Sequence, residues 1–204
     1  MRKFLKIISY TFQPLLMPLF GIIILLQTPF FNYLPVTYHV IAIVGTLLFT
    51  GILPAVPILM MMRKGQVKDL FISKREERTM PYLFSMLSYV FWVLFLSRTL
   101  HFPPNLLIYA IGCVVSIFVM VVINLKWKVS AHTLGVGGLV GGIFGVCLQM
   151  ATNPVWLFVT AILISGLVAV SRLYLKAHTL GQVIVGYILG FVLVFVPGLY
   201  FIFF

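Results

Sequence analysis

Apolar runs about as long as a bilayer is thick, with Arg98 as their one Lys or Arg, dominate this chain. A spanning helix needs about 20 mostly apolar residues. Seven stretches reach or approach that length: 9–27, 36–62, 81–100, 106–125, 129–150, 154–170 and 181–204. Their apolar residues are continuous, not alternating as in a membrane barrel. The expectation is an all-α, polytopic integral membrane helical bundle of six to seven spans, forming one transmembrane domain over 1–204. Pro14 and Pro18 lie in the first run, which is expected to kink or only dip into the membrane. The sixth run is short and extends into Ser171–Tyr174. With 8% charged residues, against about 25% in soluble domains, the chain is neither a soluble globule nor disordered. The basic start resembles a signal peptide, but no small-x-small cleavage site follows cleanly and more spans come after it, so it reads as a retained helix. Cys113 and Cys147 lie inside apolar runs and read as small core residues, not as a disulfide or metal site.

The connections between runs alternate in character. With face A defined as the side of the N-terminus, it holds 63–80, 126–128 and 171–179, which are basic and carry His, Ser and Arg. Face B holds 28–35, 101–105 and 151–153, which are short and Pro- or Asn-bearing. The chain has 14 Lys and Arg against three acids, Asp69, Glu76 and Glu77. Such an excess suits nucleic acid, anionic lipid or an anionic substrate. So greasy a chain excludes nucleic acid, and a lipid phosphate satisfies both halves of the composition. Every Lys and Arg except Arg98 falls on face A. A Lys/Arg excess marks cytoplasmic loops, and the bias survives removal of the candidate site residues, so face A is expected to be cytoplasmic. Lys64, Lys126 and Lys128 read as a basic surface lying on anionic headgroups.

Ala131-His132-Thr133-Leu134-Gly135 recurs as Ala177-His178-Thr179-Leu180-Gly181. Both copies begin a span on face A. Gly138/Gly142 and Gly186/Gly190 follow, with the small-xxx-small spacing of close helix contact. His39 and His101 lie on or near face B and read as interfacial or packing residues. His132 and His178 sit beside hydroxyls and cations at span entrances, where an ionisable group is a functional candidate.

Three face-A segments carry the chemistry. The first is 68–81, with Lys68, Lys74, Arg75, Arg78 and Pro81; the second is Val129-Ser130-Ala131-His132; the third holds Ser171, Arg172, His178 and Gln182. Arginine forks bind phosphate oxygens bidentately, which suits Arg172 with Arg75 or Arg78. Lys68 or Lys74 would serve as a point charge. Ser130 can cap the fifth span, whose free N–H groups favour anions. No carboxylate cluster suggests a metal, and no cofactor is implied.

In order and residue type these segments resemble the type 2 phosphatidic acid phosphatase family, relatives of the vanadium haloperoxidases, with signatures K-x6-R-P, P-S-G-H and S-R-x5-H-x3-D. The likeness covers roughly 63–190. Ser171, Arg172 and His178 keep the third spacing. Ser130 and His132 keep half of the second. The first is met either by Lys68 with Arg75, followed by Glu76 where the family has Pro, or by Lys74 and Arg78 with Pro81. The resemblance implies a hydrolase of lipid phosphomonoesters or diphosphates in a bacterial inner (plasma) membrane, acting on substrates such as phosphatidic acid, phosphatidylglycerophosphate, undecaprenyl pyrophosphate or lipid A phosphate. Ser130, Ser171, Arg172 and the basic segment would bind the phosphate. His178 would be the nucleophile, forming a phosphohistidine. His132 would be the acid for the leaving alcohol and then the base for water. Gln182 stands where the family has Asp, and would orient His178 without adding charge. Glu76 and Glu77 are the candidate replacement carboxylates. The alternatives are a lipid-phosphate binder on the same fold and a small transporter or channel subunit; against the latter, no ionisable group lies at mid-span.

Overall fold

The computed structural model describes residues 1–67, 72 and 74–203. Among them the elements are helical, with no strand. The α-helices are α1 (Arg2–Thr11), α2 (Met17–Leu26), α3 (Val36–Thr46), α4 (Leu53–Arg63), α5 (Thr79–Arg98), α6 (Pro104–Asn124), α7 (Ala131–Gln149), α8 (Val155–Tyr174) and α9 (Leu180–Phe203). Six helices, counting Val36–Arg63 as one, are long and apolar enough to cross a membrane. The protein is therefore an all-α integral membrane protein. In a bilayer core every backbone polar group must be satisfied within the segment, which is why such runs become helices.

The first run behaves as its prolines dictate. It starts already at Arg2 and breaks ahead of Pro14, so that α1 and the helix through Leu26 form a pair bent by 42°. Counted as one broken span, the pair raises the total to seven. Proline also shapes the second span. Ahead of Pro54 the helix widens into a π turn, Leu47–Ile52, in which Leu53 N–H reaches back to Leu48. In that register Phe49 O faces the amide that proline lacks, and the Ser88 hydroxyl of α5 donates to it instead.

The closest helix pair is α7 with α9. A methyl group added at Gly186 or Gly190 would run into the Ser130 or Leu134 carbonyl, and one at Gly137 or Gly141 into the Tyr187 or Phe191 carbonyl. The glycine face of α7 is therefore offset by one residue from the expected Gly138/Gly142, which meet the Val194 side chain instead. Lipid offers no hydrophobic drive between helices, so close backbone approach is what holds such a pair. At face B, Phe31 stacks on Phe102 at 5.1 Å; Asn105 Nδ2–H donates to Gln149 Oε1 at 3.3 Å, and Gln149 Nε2–H donates to the Asn105 backbone carbonyl at 3.2 Å.

Candidate active site

At the face-A end the starts of α7 and α9 and the end of α8 meet. The two copies of the repeated pentapeptide enter their helices in different registers. In the first, Ser130 is the N-cap of α7 and accepts from Thr133 N–H at 3.4 Å, which puts His132 inside the first turn. In the second, Thr179 caps α9 and His178 stands just outside it. Thr179 Oγ1 accepts from Gln182 N–H at 3.5 Å, and Gln182 Oε1 accepts from Thr179 N–H at 3.3 Å. This reciprocal arrangement is a capping box. Ser130 N–H donates to Gln182 O at 3.3 Å, tying the two helix starts together.

The capping box decides the state of His178. Because Oε1 takes the Thr179 N–H, that atom is the amide oxygen, and its 2.9 Å contact with His178 Nδ1 is an Nδ1–H donation. The lone pair is then on Nε2. Burial pushes the His178 pKa down to about 3, and Arg78, Lys128 and Arg172 push the same way, against the Gln182 hydrogen bond. His178 is therefore neutral at physiological pH. His132 is protonated on the other nitrogen: Nε2 contacts the Ser9 carbonyl at 3.1 Å, and a carbonyl can only accept.

The cations are held just as firmly. Arg78 and Arg172 are each 3% exposed. Arg78 donates Nε–H to Ile72 O at 2.7 Å and Nη1–H to Val129 O at 3.1 Å and Tyr82 Oη at 3.3 Å. Arg172 lies in the last turn of α8, where the helix dipole favours a cation. Its Nη1 donates to Ser9 Oγ at 3.0 Å. The Ser171 hydroxyl donates to Leu5 O at 2.7 Å, so the 2.6 Å contact between Ser9 and Ser171 is a donation from Ser9.

Arg78, Arg172, His132 and His178 all line one end of a cavity of about 600 Å³. The rest of its wall is largely apolar and comes from α2, α5, α6, α7 and α9. Cys113 and Cys147 are unpaired members of that wall.

Other expected site residues lie elsewhere. Ser130 and Ser171 are fully buried and point away from the cavity, one capping α7 and the other tying α8 to α1. Neither hydroxyl is placed to touch a phosphate, which corrects their expected binding role. Of the two candidate arginines, Arg78 faces the cavity, while Arg75 turns outward to Leu125 O at 3.0 Å and to Glu76 at 3.4 Å. Lys74 pairs with Glu77 at 3.6 Å and does not line the cavity. Glu76 and Glu77 thus partner these cations, and Gln182 fills the orienting position beside His178. Lys68 lies outside the described residues. His39 and His101 stay away from the cavity, as expected.

Three residues of the site were missed in the sequence. Lys128 donates Nζ–H to Ala177 O at 3.0 Å, next to His178, and so belongs to the cluster instead of a lipid-facing loop. Tyr82 lines the cavity beside Arg78. Ser9 serves Arg172 through its hydroxyl and His132 through its carbonyl. For Lys128 and Tyr82 the available signal was position, two residues before Ser130 and four after Arg78. Ser9 carried no signal.

Comparison with family models, with curated proteins and with solved structures gives no match for this chain.

Proposed function

We propose that the protein is a membrane lipid phosphatase that works through a phosphohistidine. The observation that carries this reading is that Arg78, Arg172, His132 and His178 converge at one end of an apolar cavity, with the His178 Nε2 lone pair available. A headgroup phosphate suits the cationic end and its lipid chain suits the remainder. His178 Nε2 attacks phosphorus and the bond from phosphorus to the lipid oxygen breaks. His132, protonated on both nitrogens when the phosphate is bound, gives its Nδ1 proton to the departing oxygen while Nε2–H stays on the Ser9 carbonyl. Water then attacks the phosphohistidine, gives a proton back to His132, and leaves phosphate with His178 restored. Arg78 and Arg172 stabilise the charge that grows on the phosphoryl oxygens. The residues also retain the three-segment likeness to the type 2 phosphatidic acid phosphatases.

A second reading, a lipid-phosphate binder with little turnover, is favoured by one feature. Gln182 accepts from His178 as the family Asp would, but adds no charge to stabilise a cationic phosphohistidine. We place the site on the cytoplasmic side of a bacterial inner membrane, on the charge bias of face A. Phosphate release from lipid phosphates in mixed micelles, compared with His178→Ala, is the test. Release by wild type alone supports the phosphatase. Release undiminished in the variant refutes it, and phosphate binding without release supports the binder.

A further inference from the structure

We propose that the apolar part of the ligand is one long hydrocarbon chain held inside the bundle, and that the far end of the cavity sets its maximum length. This rests on the reading of the cationic end as a lipid-phosphate site. The cavity's lining spans roughly three-quarters of the hydrocarbon depth of a bilayer. His132 and Cys147 both line it, and at 1.5 Å per residue they stand about 22 Å apart along α7. The hydrocarbon core is about 30 Å thick. One wall is the α7 backbone at Gly135, Gly138 and Gly142, and Tyr89 and Trp92 of α5 also line the middle section. If a methylene takes roughly the room of a water, about 30 Å³, then about 600 Å³ holds about 20 carbons. That is one chain; two ordinary acyl chains need about twice the space.

The far end is built to stop a chain. Phe102 and Leu106 line it, and Phe102 is backed by the stacked ring of Phe31. Gln27, Thr28 and Thr152 also line the cavity there. A methylene that reaches this end meets these polar groups as well as the aromatic and aliphatic floor. A methylene within the cavity has only exchanged one hydrocarbon environment, the bilayer, for another. Affinity should therefore change little with chain length and then fall sharply once the cavity is full.

The test uses alkylphosphonates, single chains with a head that resists hydrolysis, and protein in nanodiscs, with binding referred to lipid-phase concentration. Wild type should bind dodecyl and octadecyl phosphonates alike and docosyl phosphonate about tenfold or more weakly. Ala110→Phe, which fills the far part of the cavity, should move the fall to between dodecyl and octadecyl. Leu106→Ala should remove the penalty on docosyl. The two variants act in opposite directions, so a general folding defect cannot imitate both, and dodecyl binding reports a correctly folded head site. Equal binding of all lengths by wild type, or tighter binding of a dialkyl phosphonate than of octadecyl phosphonate, would overturn the inference. Phosphate release from the matching alkyl phosphates is measured in parallel. The expected length profile without release would leave the chain site standing and remove the phosphatase reading; release without the profile would do the reverse.

Discussion

Gly186→Ala tests whether the close approach of α7 and α9 assembles the site. The added methyl would lie 2.7 Å from Ser130 O and 2.6 Å from Thr133 Oγ1. Ordinary contact begins at 3.4 Å, so α9 must retreat by about 0.7 Å at this level. Neither obstacle yields easily. The Ser130 carbonyl accepts the Leu134 amide at 3.0 Å, and the Thr133 hydroxyl is held to that same carbonyl at 3.2 Å. Overpacking of this kind costs about 1–3 kcal/mol. The retreat also separates His132, on α7, from His178 and Gln182, at the start of α9. A displacement near 1 Å can lower turnover by about 100-fold. Gly166→Ala is the matched control: no heavy atom lies within 4 Å of its added methyl, so stability should rise by about 0.5–1 kcal/mol. Thermal unfolding in detergent reads the first effect and phosphate release the second. A Gly186→Ala protein as stable as wild type would refute the argument that backbone contact at this level holds the pair together.

Gln182→Glu keeps the reach to His178 Nδ1 and adds a charge, so turnover should rise, on a scale bounded by the ~10⁴ cost of the reverse change in a protease triad. It should also raise the His178 pKa and introduce an acid limb in the rate profile; a fall in rate with the fold intact would count against the nucleophile assignment. Ser9→Ala removes the hydroxyl acceptor of Arg172 and should lower kcat/KM by about tenfold or more, and unchanged kinetics would show that α1 is dispensable to the site. Because the His178 pKa falls from its ordinary 6.5 to about 3, between those values the unfolded chain binds a proton that the folded chain does not. Stability should therefore be lost as pH falls through that window, and His178→Gln should flatten the unfolding midpoint against pH. For sidedness, in a background lacking native cysteines, Gln66→Cys should resist an impermeant thiol reagent in intact cells while Asn32→Cys reacts; the opposite pattern would place the site outside.

The helices and their break points were legible in the sequence because they are local matters. An apolar run in lipid must satisfy its own backbone, and a proline removes its amide wherever the chain goes. The grouping of Arg172 with His178 was legible for a similar reason, since one short turn separates them. Helix rotation and lateral contact were not encoded locally, and they decided the remainder. Arg78 faces the cavity and Arg75 does not because the turn ahead of α5 brings Arg78 to the Val129 carbonyl and Arg75 to the Leu125 carbonyl. Ser130 and Ser171 spend their hydroxyls on a helix cap and on α1, uses that no spacing distinguishes from binding a phosphate. The glycine face of α7 is offset by one residue because either register satisfies the same spacing, and only contact with α9 selects between them. Ser9 enters the site solely because the bend before Pro14 lays α1 against the end of α8. The apolar pattern of the sequence set where the chain enters and leaves the membrane, and side-chain packing in three dimensions set which groups share the cavity.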